Sequence, residues 1–300
     1  MHIPDGFLSP PALAGCAALS LPSIAWVVRR TEKQIQESQV PLLGVMGAFV
    51  FAAQMINFPV AAGASGHLLG SALLTYTLGP GAAVIVMTAI LGLQALIFQD
   101  GGVLALGANL LNMAVIGVAA AWLPVRAWGS QSRAALFAGS FLSVFVAAGL
   151  AIFELAVSGV SLPKQALLVA VAVFAMTAIL EALITLAVLK AIGRLNPAWL
   201  QTRPAGSLQL RAALLGTAVV LAGVGFTFAS NLPDGLEHLS QTAGFDARAM
   251  ILFFSPMADY EAPFAGGEGI KKAVAGLAGL SITYAVCLLL GRWISRLRST

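Results

Sequence analysis

Nine apolar runs separated by charged or Pro/Gly breaks leave this 300-residue chain few ways to fold. In hydrocarbon every backbone polar group must find its partner within the protein, so such runs become helices packed on one another. They lie near residues 10–28, 41–57, 67–78, 81–98, 103–123, 134–156, 166–190, 211–230 and 273–292. A span needs ~20 mostly apolar residues. The third run is shorter than that and meets the fourth through Leu78-Gly79-Pro80. It reads as a half-helix or a broken segment, which only surrounding protein can tolerate. Charged residues make up 9% of the chain, against ~25% in a soluble domain, so the expected fold class is all-α, a polytopic membrane protein.

The few charges give the topology. With the N-terminus outside, Arg29, Arg30, Lys33, Arg126, Arg133, Lys190, Arg194, Arg203, Arg211, Arg292, Arg296 and Arg298 fall on the cytoplasmic side, and only Lys164, Arg248, Lys271 and Lys272 outside. This follows the positive-inside rule, and nine spans then place the C-terminus in the cytoplasm. Asp5, Asp100, Glu154, Asp234, Glu237, Asp246, Asp259, Glu261 and Glu268 all lie outside, a surface that attracts cations. The bases sit at the ends of apolar runs rather than on a soluble patch, so nucleic acid is not an expected partner; membrane lipid is. No Lys or Arg precedes Arg29, so the positive region of a cleaved signal peptide is missing and the first run is expected to be kept. Pro197, Pro204 and Gly206 mark 196–209 as a cytoplasmic linker between a seven-span domain, 1–195, and a two-span domain, 210–300, that carries the one long outer loop. Cys16 and Cys287 lie in separate apolar runs, without a redox or disulfide pattern.

The chain opens Met1-His2-Ile3-Pro4-Asp5-Gly6-Phe7. A terminal amine and the His2 amide nitrogen close a five-membered ring on a metal, and that amide with the His2 imidazole a six-membered one. A fourth nitrogen completes a square-planar site suited to Ni(II) or Cu(II) rather than zinc or magnesium. Pro4-Asp5-Gly6 suits a tight turn that folds the tip back against the bundle. By itself the pattern fits a polar residue on a loose terminus at least as well. His67, in Gly63-Ala64-Ser65-Gly66-His67-Leu68-Leu69, is the one histidine among the spans and falls on the same side as Met1. An ionisable residue there is either functional or satisfied by another helix.

The opening MHIPDGFL, the Gly-His-Leu-Leu-Gly around His67, and Phe98-Gln99-Asp100-Gly101-Gly102 followed by Leu106-Gly107-Ala108-Asn109 and Asn112-Met113 resemble the nickel/cobalt-specific S components, of CbiM/NikM type, of energy-coupling-factor transporters. The likeness covers residues 1 to about 195. It implies a seven-helix bundle with a buried N-terminus, and as metal ligands the Met1 amine, the His2 amide and imidazole, and the His67 imidazole. The tail, with Leu232-Pro233-Asp234-Gly235-Leu236-Glu237 and Asp259-Tyr260-Glu261, resembles the small N-type companion subunit of these systems in its PDGLE variant, here fused. The resemblance implies Ni(II) or Co(II) as transported substrate, and the fused PDGLE arrangement leans to nickel. It also implies a transmembrane coupling (T) subunit and ATP-binding-cassette ATPases as partners. This chain has no GxxxxGK[ST] phosphate loop, so ATP would be hydrolysed by them.

Around the histidines, Gln54 with Asn57 and Asn109 with Asn112 stand three apart and so share helix faces. They either orient His67 or link helices. Asp234, Glu237 and His238 form either an outer metal site or a solvated acidic loop. Glu181 is the one acid deep in a span, suited to pairing with another helix. Gly44, Ala48 and Ala52 recur every fourth residue, a small-residue face expected either to dock on the coupling subunit or to pack internally. Gly63-Ala64-Ser65-Gly66 matches the GxSG of rhomboid intramembrane proteases, the alternative reading, which needs a histidine on another helix to activate Ser65.

Overall fold

The computed structural model describes residues 1–196 and 207–297. The expected linker therefore lies largely outside the described residues, with Pro197, Arg203, Pro204 and Gly206. Nine helices stand at the expected runs among the described residues: α1 (Pro10–Thr31), α2 (Val40–Gln54), α3 (Ser71–Leu78), α4 (Pro80–Phe98), α5 (Leu106–Trp128), α6 (Arg133–Val157), α7 (Lys164–Leu195), α8 (Leu208–Val224) and, after the outer loop, α10 (Glu268–Leu297). The outer loop contributes a short helix, α9 (Gly235–Ala243). Seven of the helices are long and apolar enough to cross a membrane; α2 and α3 are shorter. Pro10, Val40-Pro41 and Pro80 open α1, α2 and α4, where a missing N–H costs nothing because the first turn has no intrahelical acceptor for it.

One element is not helical. Between α2 and α3 the chain forms an antiparallel hairpin, β1 (Phe58–Ala61) and β2 (Ala64–Gly66), closed by Ala62 and Gly63, both at positive φ. That is the geometry of a two-residue hairpin turn. The backbone then continues without regular secondary structure past His67 to Gly70 before α3 begins, so the short third run is indeed a broken span. Gly70 sits at φ +81, and a Cβ there would come 2.4 Å from the Val50 side chain, so glycine serves both the turn and the close approach.

A broken span frees backbone amides inside the bundle, and these must be paired. Glu181 of α7, fully buried, accepts from Leu69 N at 2.7 Å and Gly70 N at 2.9 Å. Gln54, at the end of α2, donates to the Leu69 carbonyl at 2.7 Å. The deep acid thus pairs with backbone rather than with a side chain of another helix. Removing it in Glu181→Ala leaves two buried N–H groups unpaired, each costing ~1–3 kcal/mol. We expect the thermal midpoint of the detergent-solubilised protein to fall by several degrees, with Glu181→Gln in between; an unchanged midpoint in Glu181→Ala would contradict this account.

The small-residue face of α2 is not a free docking surface. α2 packs against α8 and α10 of the fused domain. A Cβ on Gly44 would lie 3.0 Å from the Tyr284 ring and one on Gly47 2.6 Å from Cys287 Sγ, while Ala48 and Ala52 are fully buried. The four-residue repeat reports the close approach of the chain's own C-terminal helices. Exposed small residues stand instead on α1, at Ala14, Gly15 and Ala18. Overpacking a buried site costs ~1–3 kcal/mol, so Ala48→Leu should lower the thermal midpoint of the isolated chain. A variant as stable as the parent would return this face to the surface.

Candidate metal-capture site

The first seven residues are folded into the end of the bundle that carries His67 and the loop between α8 and α10. Met1, His2 and Asp5 are buried and Ile3 is fully so. Asn109 of α5 brackets Ile3 on both sides, accepting from its N–H at 2.8 Å and donating to its carbonyl at 3.0 Å. Asp5 accepts from Val103 N and Ala105 N, each at 3.0 Å, and so supplies partners for amides at the start of α5. The Gly101-Gly102 pair makes room for this tail. A Cβ on Gly101 would lie 3.1 Å from His2 Cβ, and one on Gly102 2.1 Å from Asp5 Oδ1.

This places the three expected residues together. The Met1 nitrogen lies 2.9 Å from His67 Nε2, and the His2 and His67 rings are stacked, 5.5 Å apart and 5° from parallel. His67 Nδ1 lies 3.0 Å from the Leu68 carbonyl, which fixes the proton on Nδ1 and turns the Nε2 lone pair toward Met1. His2 Nδ1 donates to Asp100 at 3.0 Å, and His2 Nε2 is buried without a partner. Adjacent corners of a square with nitrogens ~2.0 Å from a central metal are separated by about 2.8 Å. The Met1–His67 spacing fits such an edge.

Acidic groups surround the nitrogens. Asp234 of the fused domain pairs with the terminal ammonium. Burial pushes its carboxyl up, but the ammonium, His67 and the Glu237 amide outweigh burial and hold it at about 2. That value lies below the ordinary carboxylate value of ~3.9. The pairing therefore stabilises the fold above that pH and is lost as pH falls through about 2. Asp100, pushed up by burial, is held well below the carboxylate range by His2 and by a Tyr260 hydroxyl that donates to it at 2.6 Å. A cavity of about 290 Å³ adjoins this site, lined by His67, Asp100, Asp234, Glu237, Asp259 and Tyr260 among others.

The other polar candidates divide. Gln54 joins the site indirectly: it holds the Leu69 carbonyl and accepts from Gln94 Nε2 at 3.0 Å, which also donates to Tyr260 at 3.1 Å. Asn57 borders the cavity, and its carbonyl accepts from Ser230 N at 2.8 Å. Asn109 orients the tail, whereas Asn112 points away from it, donating to Glu154 of α6 at 2.9 Å, to which Cys16 also donates. The two asparagines do not share a face because Leu110–Ile116 is wound as a π-helix, whose wider turn changes the angle between residues three apart. Asp234 is not part of a free acidic loop: it lies against Met1, while Glu237 is exposed. The GxSG serine is structural. Ser65 Oγ donates to the Leu232 carbonyl at 2.7 Å, and Ser65 N to that of Pro233 at 2.8 Å, so no imidazole activates it and the protease reading falls. Asp100 and Tyr260 are the site residues that sequence reasoning missed, and Asp234 serves the terminal ammonium rather than an outer metal site or a solvated loop, although all three stand in the motifs that carry the resemblance.

Residues 2–199 match the model of the cobalt uptake substrate-specific transmembrane region, CbiM. The chain belongs to the CbiM family. Residues 208–296 match the PDGLE domain, so this CbiM-type component is fused to an N-type companion, as the sequence motifs implied. It is 30% identical over 332 residues to the fused nickel transport protein NikMN of Rhodobacter capsulatus, covering 95% of each chain. The cobalt transport protein CbiM of Acetoanaerobium sticklandii is 35% identical over 153 residues, 50% of this chain and 61% of that one. A crystal structure of a truncated transition metal transporter is similar with a TM-score of 0.55 and 32% identity, covering 65% of this chain and 99% of that one. This CbiM-family bundle depends on Asn109 to seat its N-terminus. Asn109→Leu should raise hydrogen exchange at the Ile3 amide by roughly tenfold or more, since a buried backbone pair is left unmatched; unchanged exchange would show that the tail is held elsewhere.

Proposed function

We propose that this chain captures Ni(II), or alternatively Co(II), at the outer face of the cytoplasmic membrane and is the substrate-specific subunit of an ATP-driven energy-coupling-factor transporter. The Met1 nitrogen 2.9 Å from His67 Nε2, with the His2 ring stacked alongside, carries this reading. The ligands are the Met1 amine, the His2 amide nitrogen and Nδ1, and His67 Nε2. Such an all-nitrogen, planar set favours Ni(II) over hard cations, which take oxygen. The fused arrangement, shared with a relative named for nickel transport, supports nickel over cobalt. Chelation through His2 Nδ1 exchanges that nitrogen's contact with Asp100 for the metal, and the deprotonated ligands make capture weaker as pH falls.

The chain lacks a phosphate loop, so the work of opening a tight site comes from a coupling membrane subunit and ATPases. With the α2 face covered, that subunit meets the bundle elsewhere. The orientation follows the charge asymmetry, N-terminus outside and C-terminus cytoplasmic.

The test is nickel and cobalt binding by purified protein with its native N-terminus. One residue added before Met1 turns the amine into an amide, and His67→Ala removes the fourth nitrogen. Each should weaken nickel binding by at least about a hundredfold, the loss of one strong ligand among four. Unimpaired binding by either variant, or zinc and magnesium bound in preference to nickel and cobalt, would reject the reading.

A further inference from the structure

The fused domain reaches both residues of the N-terminal dipeptide by separate routes. On one side, Asp234 Oδ1 accepts from the Leu236 and Glu237 amides, both at 2.8 Å, capping α9. The preceding Leu232 and Pro233 carbonyls are gripped by Ser65. The carboxylate is therefore fixed from both directions, and its second oxygen is the one that takes the Met1 ammonium. On the other side, Tyr260 stacks on Phe98, with rings 4.8 Å apart, and accepts from Gln94. Its hydroxyl donates to Asp100 Oδ2 while Asp100 Oδ1 holds His2 Nδ1. The loop also meets the turn between these residues and the bundle, where Met250 N donates to the Asp5 carbonyl at 2.9 Å.

We propose that the C-terminal domain completes the capture site, with Asp234 and Tyr260 as positioning residues that hold the Met1 amine and the His2 imidazole in register with His67 before a cation arrives. This rests on the function proposed above. Chain ends are normally loose, and a ligand that must order its site on arrival binds more weakly by the fraction of time the site is unformed. Here two contacts from a distant part of the chain order the dipeptide in advance. Neither residue is a ligand. On capture Asp234 loses its ammonium partner, and its charge remains beside the cation that replaces it.

The test compares the full-length parent, with native N-terminus, with Asp234→Asn, Asp234→Ala and Tyr260→Phe. Asparagine retains the helix cap and phenylalanine the stack on Phe98, so both keep the local fold. The first readout, on metal-free protein, is release of Met1 by a broad-specificity aminopeptidase. We expect release to rise roughly ten- to hundredfold in both Asp234 variants, as for loss of a charge-assisted bond, and several-fold in Tyr260→Phe. The second is titration with nickel chloride alone, followed by the absorption of the bound ion. Affinity should fall roughly tenfold in Asp234→Asn, with the absorption at saturation unchanged because the ligands remain. Unchanged Met1 release in all three variants overturns the proposal even where nickel binds normally. An altered absorption in Asp234→Asn overturns it too, by making Asp234 a ligand. Faster Met1 release in the variants of a parent that binds no nickel supports the clasp and overturns instead the capture function assigned to it.

Discussion

A chain terminus buried in a helix bundle is the constraint on which the rest depends. An ammonium group taken out of water without a partner costs far more than any one packing contact returns. Here the Met1 nitrogen sits between Asp234 and His67. The charge fixes the first residue, but the tail behind it has backbone groups of its own to satisfy. Asn109 matches both polar groups of Ile3, and Asp5 accepts from Val103 and Ala105 amides. At 102 any side chain would collide with Asp5, and Gly101, at φ +91, holds a conformation and a close approach to His2 that suit glycine. The octapeptide is thus a keyed insert whose lock is distributed over α5, the turn before it and the fused domain.

The same economy governs the segment that carries His67. A regular third span would have kept its amides within the helix; breaking it delivers the imidazole to the amine and leaves the Leu69 and Gly70 amides to be satisfied elsewhere. Glu181 takes those amides and Gln54 pairs with the Leu69 carbonyl. Gln54 continues through Gln94 and Tyr260 to Asp100 and His2. That path runs by hydrogen bonds from the Leu69 carbonyl, two residues after His67 in the chain, to His2. Because buried polar groups of this kind are costly when half satisfied, such a path favours a single arrangement of the two rings.

Much of this was legible in the sequence, and the parts that were not share a cause. Apolar runs and charge placement located the nine helices, since both signals are local. Met1, His2 and His67 stood out because a chelating order and a lone intramembrane histidine are visible in one dimension. Their partners are not: Asp234 reaches Met1 across more than two hundred residues, and nothing in its PDGLE turn announces whether it faces solvent or an ammonium. Periodicity also misled in three places, the first being Gln54 and Asn57, which share no helix face because α2 ends at Gln54. Asn109 and Asn112 were assigned one face on the α-helical repeat, which the π-helical turn between them breaks. The Gly44/Ala48/Ala52 repeat correctly signals close approach, but a repeat on one helix carries no label for the helix that approaches it.

α2 ends at Gln54, which lies on the hydrogen-bonded path to His2, and it packs against α8 and α10 of the fused domain. The fused domain thus packs along α2 and, through Asp234 and Tyr260 of its loop, also contacts Met1 and Asp100. A coupling subunit that used the α2 face would have to displace it, and with it both contacts. α1 packs on α4 and α5 with much of its surface exposed, and follows directly from the tail that carries Met1 and His2. In the function proposed above, a force on that helix reaches the Met1 and His2 nitrogens through only a few residues of chain, whereas the α2 face is taken up by the fused domain.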